Sequence, residues 1–92
     1  MAHLQKNKAK LVARVRRLRG QIEAIERALE GDAPCGETLQ LIASVRGAVN
    51  GLTLELIEDH IRFHVVDPDK ETDSAKAEGA AELIAVLRTY MK

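Results

Sequence analysis

The 92-residue sequence predicts an all-α protein, and three observations favour this class. Apolar residues recur every three or four positions, the spacing of one helix face, instead of alternating as in a strand. Leu, Ile, Val and Ala supply most of the apolar fraction, and Phe63 and Tyr90 are the only aromatic residues. Pro34 and Pro68 lie at two breaks in the pattern, so the sequence predicts three helices.

Helix one is predicted from about residue 4 to residue 30. Its apolar positions form a narrow a/d seam, consisting of Leu11, Val15, Leu18, Ile22, Ile25 and Leu29. Gly31 and Pro34 then indicate a tight connection to the next helix. Gly20 lies inside the helix, where it costs about 1 kcal/mol relative to Ala, and this favours close approach of another backbone.

Helix two is predicted from about Cys35 to about residue 66, where Pro68 ends it. It carries a second apolar seam, formed by Leu39, Ile42, Val45, Val49, Leu52 and Leu56. Gly47 and Gly51 lie among small residues, so another helix can approach there. A shorter helix three is predicted from residue 74 to residue 91, with Ser74 as its N-cap. The two long helices form an antiparallel hairpin.

Size and charge limit the architecture and the partners. A chain this short makes one domain, residues 1–92, and buries a thin core, so self-association is expected. The net charge is zero, but residues 1–30 carry eight Lys or Arg and three Glu, whereas residues 31–92 carry six basic and eleven acidic residues. The basic segment favours an anionic partner, foremost nucleic acid; a solvated helix face is the alternative.

Cysteine content and hydropathy indicate the compartment. The single cysteine excludes an internal disulfide and favours a reducing interior. The chain has no apolar run approaching the ~18 residues of a membrane span, and its first residues have no apolar signal core. We therefore expect a cytoplasmic protein.

Cysteine and histidine lie at opposite ends of helix two. Cys35 and His60 are separated by about 37 Å along a straight helix, so they cannot bind one metal ion within one chain. In an antiparallel dimer with its two-fold axis near Val49, Cys35 of one protomer lies beside His60 and His64 of the other. The folded-back helix one brings His3 level with the same histidines. The alternative is that each is an ordinary surface histidine or an inert cysteine.

Residues 14–31, then Cys35, residues 39–52 and His60, resemble the CsoR/RcnR family of small helical transcriptional repressors. The likeness covers nearly the whole chain. It implies antiparallel dimers, each a four-helix bundle, that assemble into a disc-like homotetramer. It also implies binding to operator DNA, and release of that DNA when an inducer occupies a Cys/His site between protomers.

The ligand set resembles the nickel/cobalt branch of that family, which controls metal efflux. This resemblance implies a site of His3, Cys35, His60 and His64, with the amine of Ala2 as a further ligand. Copper sensors have a second cysteine where His64 stands, and one thiolate among imidazoles suits Ni(II), Co(II) or Zn(II) better than Cu(I). Formaldehyde-responsive relatives pair the cysteine with an N-terminal proline, typically without a histidine at the position of His64, so Ala2 and His64 both depart from that pattern.

A mostly basic stripe is predicted opposite the apolar seam of helix one, formed by Lys6, Lys10, Arg14, Arg17 and Gln21. The resemblance implies that Arg14 and Arg17, together with Arg46 on helix two, contact operator DNA, and Lys10 belongs to the same stripe. Two alternatives stay open: a repressor that senses formaldehyde or another electrophile through Cys35, and a helical adaptor that binds neither metal nor DNA. An enzyme is not expected, because the sequence contains no acid/base pair or nucleotide-binding loop.

Overall fold

The structure is a computed structural model that describes residues 7–91, and these form three α-helices and no strand. Helix α1 spans Lys8–Glu30, α2 spans Cys35–His64 and α3 spans Ser74–Tyr90. The predicted all-α hairpin with a short third helix is confirmed. Helix α2 ends at His64, before the predicted residue 66, and the predicted start of helix one near residue 4 lies outside the described residues.

A short turn reverses the chain between α1 and α2. The Gly31 amide donates to the Arg27 carbonyl at 2.9 Å, and the Ala33 amide donates to the Ala28 carbonyl at 2.9 Å. These bonds satisfy carbonyls at the end of α1 that have no partner within the helix. Asp32 has a left-handed conformation with φ of 55°, whereas Gly31 has φ of −92°.

The apolar seam of α1 divides into two rows of residues seven positions apart. Leu18 is buried and Leu11 and Ile25 are half-buried, whereas the second row is 50%, 55% and 64% exposed at Val15, Ile22 and Leu29. Among residues 7–91, only the first row is covered by the rest of the chain. The second row is an uncovered strip on the side of the hairpin.

Helix α3 begins at a cap different from the predicted one. The carboxylate of Asp73 accepts hydrogen bonds from the amides of Ala75 and Lys76, at 3.0 and 3.3 Å, so Asp73 is the N-cap and the prediction of Ser74 was wrong. The physical reason is that the cap residue precedes the first helical turn, and its side chain must accept hydrogen bonds from the free amides two and three residues further along the chain. Ser74 is already the first helical residue.

A small apolar contact and an ion-pair cluster hold α3 against α2. Ile61 of α2 and Ile84 of α3 are 8% and 3% exposed. Glu58 accepts from Arg88 at 2.7 Å and from Arg62 at 3.2 Å. Burial lowers the pKa of Arg62, but the hydrogen bond with Glu58 and the charges of the nearby carboxylates outweigh it, so this pKa is raised.

The single chain is elongated and thinly packed. It measures 57 × 26 × 12 Å with a radius of gyration of 17.5 Å, against about 12 Å for a compact domain of this length. Its accessible surface is 6924 Å², whereas a folded monomer of this mass exposes about 5,300 Å². The expected thin core is observed. No helix among residues 7–91 has the length and apolarity needed to cross a bilayer.

Candidate metal centre and DNA-binding surface

His60 and His64 form the only close pair of imidazoles in the described part of the chain. They lie one turn apart near the end of α2, with ring centroids separated by 5.0 Å and ring planes inclined by 35°. Both side chains are exposed. Histidines at i and i+4 on one helix face can bind a single metal ion through ring nitrogens. The structure therefore places two candidate nitrogen ligands side by side.

Cys35 is the first residue of α2, and its thiol is exposed. Because Cys35 and His60 belong to one continuous helix, about 37 Å separates them. Within residues 7–91 of a single chain, no group of three or more His, Cys, Asp or Glu is placed to hold a metal ion. Cys35 and the two histidines of α2 do not meet inside one chain, as the sequence led us to expect.

These ligands share the exposed apolar face of α2. Cys35 begins a row with one residue every seven positions, continuing through Ile42, Val49 and Leu56, and His60 follows one turn later. The apolar members are 45%, 44% and 37% exposed. Such a row is typical of a helix that packs against another helix. The face that carries the candidate ligands is therefore also the face that lacks a covering partner.

The middle of this face has room for close helix approach. Gly47 lies near the midpoint between Cys35 and the two histidines, and a Cβ built on Gly47 would meet no atom within 4 Å. Beside it, an open groove of about 400 Å³ is lined by Leu39, Ile42, Ala43, Arg46, Gly47 and Asn50. Gly20 on α1 likewise has no neighbour within 4 Å of such a Cβ, so the close approach expected there does not occur among residues 7–91 of one chain.

Cys35 also borders a second shallow cleft, of about 270 Å³, at the turn between α1 and α2. Its lining is mainly apolar, and it includes Leu29, Leu39 and the buried Thr38. The cysteine is consequently accessible both to a partner helix and to a small molecule.

Two further predicted ligands, His3 and the amine of Ala2, lie outside the described residues. Their participation stays a prediction. Lys6, at the start of the predicted basic stripe, lies outside them as well.

The basic residues predicted to form a stripe on α1 differ in their exposure to solvent. Lys10 and Arg17 are exposed, whereas Arg14 is half-buried and its Nη1 donates to Oε2 of Glu55 on α2. Gln21 is half-buried too, and its Oε1 is shielded from solvent without a hydrogen-bond partner in the part of the chain that the structure describes. The prediction that the basic stripe lies opposite the apolar seam was therefore wrong for Arg14 and Gln21, because both lie at the α1–α2 contact.

The physical reason is the heptad spacing of α1. Arg14 and Gln21 fall between Leu11, Leu18 and Ile25 in the pattern, at positions that face the neighbouring helix. Because these two side chains are polar, a search for apolar residues alone does not identify their positions as facing the neighbouring helix. Glu55, which sequence reasoning did not select, could have been found as the acidic partner that a basic residue at such a position requires.

Arg46 is exposed on α2, beside Gly47 in the groove described above. The helical hairpin thus presents Lys10 and Arg17 on α1 and Arg46 on α2 to solvent. Exposed guanidinium and ammonium groups on rigid helices are the groups that contact DNA phosphates.

A helical hairpin with a Cys/His face and exposed basic side chains is typical of a small helical DNA-binding regulator. The family described as metal-sensitive transcriptional repressor matches residues 7–89. The chain belongs to this family, the CsoR/RcnR repressors, whose members bind operator DNA and are not enzymes.

Individual relatives agree with this assignment. The transcriptional repressor RcnR of Citrobacter koseri is 40% identical over 93 residues, covering the whole of both chains. A Serratia marcescens protein described by its position in the bioA 5' region is 48% identical over 92 residues, again over both whole chains. Among solved structures, a glutamate-to-histidine variant of the formaldehyde-responsive regulator FrmR from Salmonella enterica serovar Typhimurium is 46% identical. It has a TM-score of 0.64, and the match covers 94% of this chain and 96% of that one.

Proposed function

We propose that this chain is a metal-sensing repressor that binds operator DNA without metal and releases it on binding Ni(II) or Co(II), so that a metal efflux gene is expressed. The observation that carries the proposal is the placement of Cys35, His60 and His64 on one exposed face of α2, at opposite ends of an apolar row. A second copy packed antiparallel on that face would bring thiol and imidazoles together.

The proposed assembly is a cytoplasmic homotetramer made of two antiparallel dimers, in which residues 1–92 act as one domain. Uncovered apolar rows on both long helices support it, because Val15, Ile22 and Leu29 on α1 are even more exposed than the row on α2. Exposed apolar area of this extent is typical of an interaction surface.

The donor set fits a borderline metal ion. One thiolate and several imidazoles favour Ni(II), Co(II) or Zn(II), whereas Cu(I) prefers more sulfur. The full proposed site is Cys35 from one protomer with His3, His60 and His64 from the other, and the Ala2 amine as a further ligand. The likeness to RcnR over the whole chain supports the nickel/cobalt choice.

The proposed operator contacts come from Lys10, Arg14, Arg17 and Arg46. Phosphate contacts of this kind make affinity salt-dependent, and sequence preference then depends partly on DNA shape. His3 and the α1 basic residues share one segment of chain, so a ligand that fixes His3 against α2 would also alter the DNA surface. Coupling between two such sites is typically about 1–3 kcal/mol.

Titration of the protein with a duplex from the promoter region of its own gene tests the proposal. We expect Ni(II) or Co(II) to weaken binding between about fivefold and a hundredfold, and Mg(II) to have no effect. A Cys35→Ala variant should bind the same DNA and lose the metal response. Equal DNA affinity with and without Ni(II) and Co(II) would contradict metal release. Failure to bind such DNA would favour the alternative of a helical adaptor.

A second candidate is a formaldehyde-sensing repressor, favoured by the exposed thiol of Cys35 and by the likeness to FrmR. The Cys35 sulfur would add to the carbonyl carbon, and the carbonyl oxygen would take the proton. Intact-mass measurement after formaldehyde treatment, with Cys35→Ala as control, separates the candidates. An adduct specific to Cys35 that also weakens DNA binding supports this one.

A further inference from the structure

Arg14 and Glu55 form the one ion pair that joins α1 to α2 within residues 7–91. Nη1 of Arg14 donates to Oε2 of Glu55, and each side chain is 39% exposed. The pair therefore lies at the edge of the helix contact, where solvent and a large ligand can reach it. It is neither a core salt bridge nor a fully solvated surface pair.

The guanidinium of Arg14 lies beside Gly51 of α2. Gly51 lies one turn before Glu55, and a Cβ built on Gly51 would be 3.4 Å from Nη2 of Arg14. The guanidinium thus lies against a helix segment that has no side chain at that point. Arg14 also lines a cleft of about 140 Å³ with Arg17, Gln21, Leu18 and Ala48. Arg17 remains exposed beside it.

The opposite charges of Arg14 and Glu55 affect how strongly this surface attracts DNA phosphates. Each phosphate that a protein neutralises releases counterions, and this release supplies most of the non-specific affinity. The Arg14–Glu55 pair as a whole carries no net charge, so it attracts a phosphate less than Arg14 alone would. The guanidinium has further N–H donors, but it presents its full positive charge to a phosphate only when its hydrogen bond with Glu55 weakens or breaks.

We propose that Glu55 competes with operator phosphate for the guanidinium of Arg14 and thereby lowers the affinity of the protein for DNA. This inference rests on the proposed DNA-binding function. Glu55 acts through Arg14, and it sets how readily Arg14 becomes available. It lies on the helix that carries His60 and His64, five residues before the first of them.

The test is Glu55→Gln, measured by fluorescence anisotropy on the own-promoter duplex over a series of salt concentrations. Breaking a partly exposed ion pair of this type changes an equilibrium constant by up to about fivefold. We therefore expect the affinity for DNA to rise by about two- to fivefold at low salt. The salt slope should become steeper by up to about one ion. In an Arg14→Ala background, Glu55→Gln should have no effect on either quantity.

Glu23→Gln is the matched control, because Glu23 is exposed on α1 and makes no ion pair among the described residues. It removes the same charge without freeing an arginine. Weaker binding by Glu55→Gln, an equal gain in the Arg14→Ala background, or an equal gain from Glu23→Gln would each overturn the inference. If the wild type binds no DNA, the proposed function fails separately. A double-mutant cycle on thermal unfolding then still reports whether Arg14 and Glu55 are coupled.

Discussion

The imidazole rings of His60 and His64 lie 5.0 Å apart on the last turns of α2, and the thiol of Cys35 lies at the opposite end of the same helix. This relationship makes a single-chain site impossible for the cysteine and the histidines together. In the proposed shared site, a second chain would contribute the opposite end of an antiparallel α2.

Removal of one imidazole should weaken metal binding and change its spectrum. For His64→Ala we expect Co(II) or Ni(II) affinity to fall at least about tenfold, or about 1.4 kcal/mol, because one of two adjacent nitrogen ligands is lost. The thiolate charge-transfer band of the metal-bound protein should shift. Gln40→Ala, an exposed change elsewhere on α2, is the control. An unaltered band and affinity would exclude His64 as a ligand.

Mixing of two inactive variants tests whether the site lies between protomers. Cys35→Ala and His60→Ala should each lose the wild-type spectrum. After subunit exchange, half of the dimers contain one chain of each kind, and one of their two sites is intact, so about one quarter of the sites should return. A mixture of His60→Ala with His64→Ala should restore none, because both changes affect the same half of the site. No recovery in the first mixture, with exchange demonstrated, would refute a shared site.

A charge placed in the exposed apolar row should disrupt association. Val49 is 44% exposed in the single chain and occupies the middle of the row on α2. Val49→Glu would bury an unpaired carboxylate in the dimer. We therefore expect the dissociation constant of the dimer to rise by at least about a hundredfold, or about 3 kcal/mol. Sedimentation velocity measures the species present. Gln40→Glu carries the same charge on another side of α2 and should associate like the wild type; equal behaviour of both variants would argue against this face.

The N-cap of α3 can be identified by two alanine substitutions. Asp73→Ala removes the acceptor of the Ala75 and Lys76 amides and should destabilise α3 by about 1 kcal/mol. Ser74→Ala should change stability by less than about 0.5 kcal/mol, because its hydroxyl does not cap the helix. Hydrogen exchange of the α3 amides, together with denaturant unfolding, measures both. A larger effect at Ser74 would contradict the assignment of the cap.

The hairpin could be predicted from sequence because its signals are local. The three- and four-residue spacing of apolar side chains depends on helix geometry alone, and the turn residues near Gly31 and Pro34 act within a few positions. The ends of the helices were less certain. Ser74 and Asp73 are both good capping residues, and only the backbone path decides which of them precedes the first turn.

By itself, the sequence determined the helical class, the order and approximate length of the helices, and the separation of Cys35 from His60 and His64. These follow from the rise of a helix and from the periodicity of side chains. Only the tertiary structure decided which face of α1 packs against α2, and which face of α2 packs against α1. It placed Arg14 against Glu55 and left Val49 uncovered, because the covered face depends on how two helices pack as well as on which of their residues are apolar.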